Sequence, residues 1–390
     1  MKLAITGCQV HDSYGHVLSE NLKLLLSEKF RIPTGDSFRE FKSFKITERE
    51  TSSLLSNERS LPLVFNYGCD AAIRAVEQAG TVVNRDRIGV FASSLYTDAN
   101  TALHSATTFS EGKSRSRPYD LFYQTSEPLA TIISRLLNLE GMTSGVAATC
   151  SSGLFALEMA SALIKQGSLE QAVVLCADIS SHAFNSYKMN GTRALTPLNI
   201  SRPFDIDRNG IVMGDGVAAI VVEPLETAIA RGATPLAIIE GIGSATANYH
   251  PTNPRSMTSA YYSAFNKAIE TVDDIEKIKW ISAHATSTQD GDMIENQIMS
   301  ELLPGRYITS FKGHLGHAMA ASGLLELCYT IEALNNNIIP HVANTTQVDN
   351  ESTLSVALSN INCNAEYVIK NSYGFGGRAS SVILSKGNTQ

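Results

Sequence analysis

The sequence predicts an α/β fold made of two halves that repeat the same order of elements. Segments with strand character alternate with segments of helical periodicity through most of the 390 residues. In addition, the order strand, small-residue or glycine turn and Ala-rich helix occurs around Cys150 and recurs from residue 307 to residue 334. This repeat is too coarse for a solenoid of short units, and it fits a duplicated α/β unit.

The individual elements follow from apolar runs, helical spacing and turn residues. Apolar residues recur at helical spacing from Leu154 to Ile164, and Gly167 marks the end of that helix. The predicted strands cover residues 1–7, 88–92, 172–176, 217–223, 280–284, 307–310, 367–370 and 380–384, and the other predicted helices cover residues 70–78, 225–230 and 319–334, with a further helix that contains Glu295. The strand at 172–176 has its counterpart in the strand at 367–370.

The boundary between the halves is predicted at a strand that begins near Leu236. Gly241 and Gly243 interrupt the pattern of this strand, because glycine weakens a strand interior. The sequence therefore predicts one half over residues 1–240 and a second half over residues 241–390. No Pro-rich or Ser-rich linker separates them, so we expect one body.

The stretch over residues 100–120 is polar and carries Lys113, Arg115 and Arg117 close together. A cluster of basic residues could form a surface for docking a partner. We predict a solvated loop here, which is the more common origin of such a pattern.

Composition and charge exclude several classes of protein. The formal net charge of −7 argues against general binding to nucleic acid or to an anionic membrane. No apolar run has the length of a membrane span, and the N-terminus lacks the pattern of a signal peptide. The six cysteines show no paired spacing, which indicates a reduced, cytoplasmic compartment.

Cys150 is the most informative residue because it lies in a turn between a predicted strand and a predicted helix. At the N-terminal end of a helix, the macrodipole and free backbone N–H groups favour a thiolate over a thiol. A free cysteine more often packs as a small hydrophobic residue, which is the interpretation kept for the cysteines outside such a turn. These are Cys8, Cys69, Cys176, Cys328 and Cys363.

Two histidines end predicted strands or follow them closely. His284 ends the strand at 280–284, and His317 lies just before the second Ala-rich helix. Strand ends in α/β proteins form ligand-binding crevices, so these side chains are candidates for a site shared with Cys150. Two imidazoles beside a cysteine nucleophile can bind a thioester carbonyl and stabilise an enolate. They could instead form a metal site with Cys150, although no ligand spacing demands one.

The stretch over residues 371–378 contains three glycines between two predicted strands. Glycine permits a positive φ and a close backbone approach, so this turn could present N–H groups to a ligand. A tight connection between two strands is the simpler interpretation.

Five stretches together resemble the elongating β-ketoacyl-acyl-carrier-protein synthases, which are members of the thiolase-fold condensing enzymes. They cover residues 147–153, 201–216, 284–295, 312–323 and 371–377, in the order of the family. The resemblance implies a thiolase fold, in which two pseudo-duplicated halves form αβαβα layers.

The resemblance also implies a role for each matched residue. Cys150 is similar to the nucleophile that accepts the acyl chain. His284 and His317 are similar to the pair that binds the malonyl thioester and supports its decarboxylation. Lys312 matches a lysine beside that pair, and Glu295 matches the acidic partner of this lysine.

Three further residues match positions around the substrate. Thr286 and Thr288 are similar to residues that contact the phosphopantetheine arm. Phe375 is similar to a gating aromatic residue, whose backbone N–H joins that of Cys150 in the oxyanion hole. His314 falls outside the matched pattern, and we expect it to be structural.

The implied reaction is a decarboxylative Claisen condensation between an acyl group on Cys150 and malonyl-acyl carrier protein. It needs no metal or cofactor, and the implied partners are acyl carrier protein and a second subunit in a homodimer or in a heterodimer with a related chain. Ala285, Phe311 and Arg378 depart from the family pattern and leave fatty-acid, polyketide and aryl-polyene-type pathways open. The alternatives are a non-catalytic subunit similar to chain-length factors and a thiolase-type acyltransferase.

Overall fold

The computed structural model describes residues 1–46, 51–52, 55, 61–80, 84–247, 250, 253–348 and 352–387. Within these residues the strands form sheets of eleven, three and two strands. The strands are β1 (Leu3–His11), β2 (Gly35–Phe38), β3 (Phe41–Phe44), β4 (Ile88–Ser93), β5 (Thr143–Gly145), β6 (Gln171–Asp178), β7 (Met213–Gly214), β8 (Gly216–Pro224), β9 (Ala237–Thr246), β10 (Ile278–Ser282), β11 (Tyr307–Thr309), β12 (Ile338–Ile339), β13 (Ser355–Val356), β14 (Ile361–Asn362), β15 (Tyr367–Gly374) and β16 (Arg378–Lys386).

The helices lie between these strands, as an α/β architecture requires. They are α1 (Leu18–Ser27), α2 (Leu63–Ala79), α3 (Ala99–Ser110), α4 (Pro118–Phe122), α5 (Glu127–Leu137), α6 (Ser152–Lys165), α7 (Ala183–Asn190), α8 (Leu225–Ala230), α9 (Thr258–Ile269), α10 (Gln289–Leu302), α11 (Lys312–Leu315) and α12 (Ser322–Asn335). In the described ranges, none of them combines the length and the apolar character that crossing a bilayer requires.

The large sheet repeats one topology twice. Its order is β13-β11-β10-β15-β16-β9-β1-β8-β6-β4-β5. In the first half β4 pairs in parallel with β5 and β6, and β6 and β1 pair antiparallel with β8. In the second half β10 pairs in parallel with β11 and β15, and β15 and β9 pair antiparallel with β16. The predicted correspondence between the strands at 172–176 and 367–370 is therefore confirmed, because β6 and β15 hold equivalent places.

The halves join through an antiparallel contact between β1 and β9, in which Leu3, Ala4 and Ile5 face Ile239, Ile238 and Ala237. Helices α6 and α12 pack between the two halves of the sheet and share one core with it. Helices α2 and α5 cover one outer face, and α9 and α10 cover the other. Alternate strand residues face opposite layers: Val173 lies in an outer core and Val174 in the central one. The layered αβαβα arrangement expected from the resemblance is confirmed.

Glycines at equivalent places let the two central helices approach closely. A Cβ atom on Gly153 in α6 would lie 2.8 Å from Cβ of Leu324 in α12. A Cβ atom on Gly323 in α12 would lie 3.4 Å from Cγ of Leu154 in α6 and 2.9 Å from Oγ of Ser372. The contact between the halves therefore depends on small residues at both sides of the pseudo-symmetric pair.

The same turn precedes each central helix. Short 3-10 turns at Thr149–Ser151 and Met319–Ala321 lead into α6 and α12. The first residue of each turn has a positive φ, +50° at Thr149 and +51° at Met319, which is uncommon for residues other than glycine. Two unrelated turns would not be expected to share this strained geometry, so the predicted duplication extends to the turn that carries Cys150.

Two predictions about local structure are wrong. The polar stretch at 100–120 is not a loop throughout, because α3 and α4 cover much of it; the Asp98 carboxylate caps α3 by accepting a hydrogen bond from the Thr101 N–H. The strand near Leu236 is not interrupted, since β9 continues through Gly241 and Gly243. The proposed division into residues 1–240 and 241–390 rests on that interruption and stays a prediction.

The glycines of β9 serve packing instead of ending the strand. A Cβ atom on Gly241 would lie 1.8 Å from the carbonyl oxygen of Ala268, and one on Gly243 would lie 2.5 Å from Cβ of Lys267. Both neighbours belong to α9, so the missing side chains allow this helix to rest directly on the strand.

Candidate active site

One cavity of about 360 Å³ collects residues from both halves of the chain. It lies beyond the carboxyl ends of parallel strands, because Cys150 follows β5 and His284 follows β10. Six of the predicted site residues line it, namely Cys150, His284, Thr286, Thr288, His317 and Phe375. Lys312 and Glu295 are not among the lining residues.

The glycine-containing stretch at residues 371–378 forms two hydrogen bonds with the turn that carries Cys150. The Ser372 hydroxyl donates a hydrogen bond to the carbonyl oxygen of Cys150 over 2.9 Å, and the Thr149 hydroxyl donates one to the carbonyl oxygen of Phe375 over 2.9 Å. A Cβ atom on Gly374 would lie 3.0 Å from the backbone nitrogen of Cys150. Glycine is needed at this point so that the loop can contact the backbone of the turn.

The thiol of Cys150 is 5% exposed and faces an apolar cluster that contains Met189, Ile211 and Met319. Burial raises the pKa of Cys150 to about 12, although the nearby Lys312 ammonium lowers it. The backbone hydrogen bond at Cys150 also lowers the pKa, in the direction expected for a helix N-terminus, but burial outweighs it. The thiol must lose its proton as it reacts.

Hydrogen bonds fix the tautomer of His317. Its Nδ1 accepts a hydrogen bond from the Met319 N–H over 3.0 Å and contacts the Ser322 hydroxyl at 2.9 Å. The Ser322 oxygen already accepts the Ala318 N–H, so its own hydrogen points to Nδ1. An imidazole that accepts at Nδ1 carries its proton on Nε2, and this assignment makes Nε2–H a donor.

His284 has the same tautomer for a different reason. The Lys312 ammonium lies 3.4 Å from Nδ1 of His284 and donates a hydrogen bond to its carbonyl oxygen over 2.6 Å. An ammonium can only donate, so Nδ1 accepts and Nε2 carries the proton. The rings of His284 and His317 meet edge to face with centroids 5.6 Å apart. Burial, followed by the Lys312 charge, holds the pKa of both histidines well below its usual range.

A buried ion-pair network stands behind the histidines. Glu326 in α12 accepts from Lys312 over 2.6 Å and from Lys370 over 2.7 Å, and all three side chains are buried. Glu295 makes no ion pair with Lys312. It accepts the backbone N–H groups of His284 and Ala285 over 2.9 and 2.7 Å. The prediction that Glu295 is the acidic partner of Lys312 is wrong, because Glu326 holds that place and Glu295 fixes the backbone of His284.

The two predicted threonines lie on the loop between β10 and α10. Their hydroxyl oxygens are 3.0 Å apart, and Asp292 accepts the Thr286 N–H over 2.8 Å and the Ser287 N–H over 3.2 Å. Burial raises the pKa of Asp292 to about 7. Asp292 of α10 therefore fixes the backbone of the loop that leads into this helix, and Thr286 and Thr288 of the loop line the cavity.

His314 lies outside the cavity, in agreement with its expected structural place. Its Nε2 is 3.1 Å from the carbonyl oxygen of His341, and its Nδ1 is 3.5 Å from the Tyr14 hydroxyl. Burial lowers its pKa to about 3. Within the described ranges, no group of three or more His, Cys, Asp and Glu residues is arranged to hold a metal ion.

Sequence reasoning missed two charged residues of this site. Glu326 stands between the buried residues Leu325 and Leu327 in α12, and Lys370 ends a run of apolar strand residues. A charged residue inside a buried apolar run indicates a paired charge, because unpaired charges are rarely buried. The partners could not be read from the chain, since Glu326 is 14 residues from Lys312 and 44 residues from Lys370.

Comparisons with known proteins agree with this geometry. The sequence model of the β-ketoacyl synthase N-terminal domain matches residues 44–228, and that of the C-terminal domain matches residues 236–346. The 3-oxoacyl-[acyl-carrier-protein] synthase 2 of Vibrio harveyi is 28% identical over 99% of this chain and 98% of its own length. The tetracenomycin polyketide synthase ketoacyl synthase alpha subunit of Streptomyces glaucescens is 29% identical over 78% of this chain and 76% of its own.

Solved structures share the fold. The crystal structure of a β-ketoacyl synthase from Burkholderia phymatum superposes with a TM-score of 0.90 at 24% identity, covering 99% of both chains. The ishigamide ketosynthase/chain length factor gives a TM-score of 0.88 at 24% identity, also over 99% of both chains. The chain is a thiolase-fold condensing enzyme, an acyltransferase. It belongs to the β-ketoacyl synthase family.

Proposed function

We propose that this chain extends an acyl group, carried on Cys150, by decarboxylative Claisen condensation with malonyl-acyl carrier protein. The observation that carries the proposal is the cavity shared by Cys150, His284 and His317. Its two imidazoles offer Nε2–H donors beside a buried thiol, which suits a thioester and its enolate.

In the first half-reaction, Cys150 attacks the thioester of an acyl-carrier protein. A carbon–sulfur bond to Cys150 forms, the bond to the carrier sulfur breaks, and the thiol proton leaves with the carrier thiol. Backbone N–H groups of Cys150 and Phe375 hold the oxyanion in this proposal. Loss of one such donor raises the barrier by about 3 kcal/mol in comparable sites.

In the second half-reaction, malonyl-carrier protein loses carbon dioxide and its enolate oxygen is held by His284 and His317. Neutral Nε2–H donors suit this task, because a positive charge is not needed to bind an oxygen that becomes anionic only during reaction. The enolate carbon then forms a bond to the acyl carbon, and the Cys150 sulfur leaves and takes up a proton. The product is a β-ketoacyl-carrier protein.

Acyl carrier protein is the proposed partner in both steps. Relatives are named 3-oxoacyl-[acyl-carrier-protein] synthases, and one solved neighbour is a type II polyketide acyl-carrier protein in complex with its ketosynthase. We further propose a dimer, either of two copies or of one copy with a related subunit. The ketosynthase/chain length factor neighbour supports the second form.

The pathway in this proposal is fatty-acid, polyketide or aryl-polyene-type synthesis in the cytoplasm. Relatives include 3-oxoacyl-[acyl-carrier-protein] synthases and an oxytetracycline polyketide putative β-ketoacyl synthase. All six cysteines are free, which fits a reducing compartment and leaves the Cys150 thiol available for reaction.

Mass spectrometry of the intact protein tests the proposal. Incubation with acyl-carrier protein should add one acyl group, and peptide mapping should locate it on Cys150. Cys150→Ala should abolish the adduct, whereas Cys363→Ala, which removes a half-buried cysteine, should retain it. A protein that gains no acyl group from any carrier-bound chain, or gains it in Cys150→Ala, would refute the proposed reaction.

A further inference from the structure

Tyr373 carries a buried hydroxyl group with no hydrogen-bond partner among the described residues. It is the penultimate residue of β15, is 4% exposed and lines the same cavity as Cys150 and His284. Buried hydroxyls are rarely left unpaired, because their desolvation is unfavourable.

The ring of Tyr373 is held in place by its neighbours. It stacks on the ring of Tyr261 in α9, with centroids 3.7 Å apart and planes inclined by 6°. It also meets the ring of His284 edge to face, with centroids 5.8 Å apart. Two aromatic contacts fix where the hydroxyl stands, so the phenol is preorganised for an occupant of the cavity.

The hydroxyl is available as a donor. Burial raises the pKa of Tyr373 well above its usual range, and the nearby Glu295 carboxylate acts in the same direction. The phenol therefore keeps its proton and can donate a hydrogen bond to an acceptor in the cavity.

Tyr373 lies beside His284 and one residue before the point where the strand contacts Cys150. Its ring contacts His284, and the next residue, Gly374, packs on the backbone of Cys150. A thioester that reaches Cys150 or the histidines enters the cavity that this ring lines. The acceptors such a substrate offers are amide carbonyl oxygens along the phosphopantetheine arm and the carboxylate of the malonyl group.

We propose that Tyr373 binds substrate by donating a hydrogen bond to an oxygen of the carrier-bound substrate, either on the phosphopantetheine arm or on the malonyl group. The inference rests on the proposed function, and it adds a polar contact to the aromatic side of the cavity. Thr286 and Thr288 line the same cavity, so the arm would meet polar side chains from two different elements.

Tyr373→Phe isolates the hydroxyl, because phenylalanine keeps the ring contacts with Tyr261 and His284. The matched control is Tyr367→Phe, which removes a phenol from the same strand outside the cavity. The two half-reactions are measured separately, as acylation of Cys150 by acyl-carrier protein and as carbon dioxide release from malonyl-carrier protein. Loss of one hydrogen bond should lower kcat/KM of Tyr373→Phe by about threefold to tenfold, with no change in Tyr367→Phe.

The pattern of loss identifies the acceptor. A fall in both half-reactions assigns the bond to the arm, which both substrates carry, and a fall in carbon dioxide release alone assigns it to the malonyl group. Activity equal to that of the native protein in both overturns the inference. So does a parallel fall in alkylation of Cys150 by iodoacetamide, which has no arm and would reveal a disturbed cavity. Failure of the native protein to become acylated would instead refute the proposed function.

Discussion

At the scale of single residues, burial controls the chemistry of the cavity. It keeps both histidines neutral and Cys150 protonated in the free protein, since each charged form would lose its hydration. The Lys312 ammonium opposes this effect at Cys150 and reinforces it at the histidines. One cation thus promotes the thiolate while it keeps the two donors uncharged.

The pH dependence of Cys150 follows from its raised pKa. Because its thiolate is the minor form up to a pKa of about 12, alkylation by iodoacetamide should accelerate with rising pH, by about tenfold per unit from about pH 7 to pH 10. Peptide mapping distinguishes Cys150 from the half-buried Cys363. A rate that levels off near neutral pH would contradict the assigned protonation state.

Lys312→Met should slow the alkylation of Cys150 relative to the native protein at each pH, because it removes the charge that stabilises the thiolate.

Glu326 supplies the only carboxylate paired with Lys312 and Lys370 among the contacts of the described residues. Glu326→Gln should lower the free energy of unfolding by about 3–5 kcal/mol, because it leaves two buried ammonium groups without a counter-charge. Urea denaturation measures the change. Glu332→Gln on the same helix, at a half-buried position, is the control and should cost far less. Equal stability of the two variants would show that the network does not stabilise the fold.

At the scale of elements, apolar periodicity predicted the main strands and the two central helices, because each has to bury a face. Helix α3 escaped prediction, since its residues are mostly polar and its start depends on the Asp98 cap. Gly241 and Gly243 were misread as a break, because the sequence cannot show that α9 rests on them. The partners of Glu326 and the unused hydroxyl of Tyr373 depend on contacts between distant segments and could not be predicted either.

The crossing of α6 and α12 depends on Gly153 and Gly323. In Gly153→Ala the added methyl group would meet Leu324 at 2.8 Å, so the helices have to separate. We expect the free energy of unfolding to fall by about 1–3 kcal/mol. Gly191→Ala is the control: Gly191 is exposed, has a φ of −58° and should change stability by less than about 0.5 kcal/mol. A stable Gly153→Ala would mean that the helices can move apart without loss.

At the scale of the whole molecule, the two halves form one unit. The central core draws residues from α6 and α12 and from strands of both halves. The antiparallel contact of β1 with β9 adds backbone hydrogen bonds across the junction. Each half also has an outer core, but the central core is shared and joins the two halves.

A single cooperative unfolding transition follows from this shared core. Trp280, the only tryptophan, is fully buried on β10 and reports on the second half, whereas far-UV circular dichroism reports on the whole chain. The two signals should give the same midpoint in urea. Midpoints that differ would show that the halves unfold separately.

The equivalent turns at Thr149–Ser151 and Met319–Ala321 carry different functional residues. Where the first copy places Cys150, the second has Ala320, whose N–H donates to Asp178. Where the second copy places His317, just before its turn, the first has Ala147. The nucleophile and the imidazole donors therefore lie in different halves, so a polypeptide cut between the halves would yield one fragment with the nucleophile and without these donors, and another with the donors and without the nucleophile.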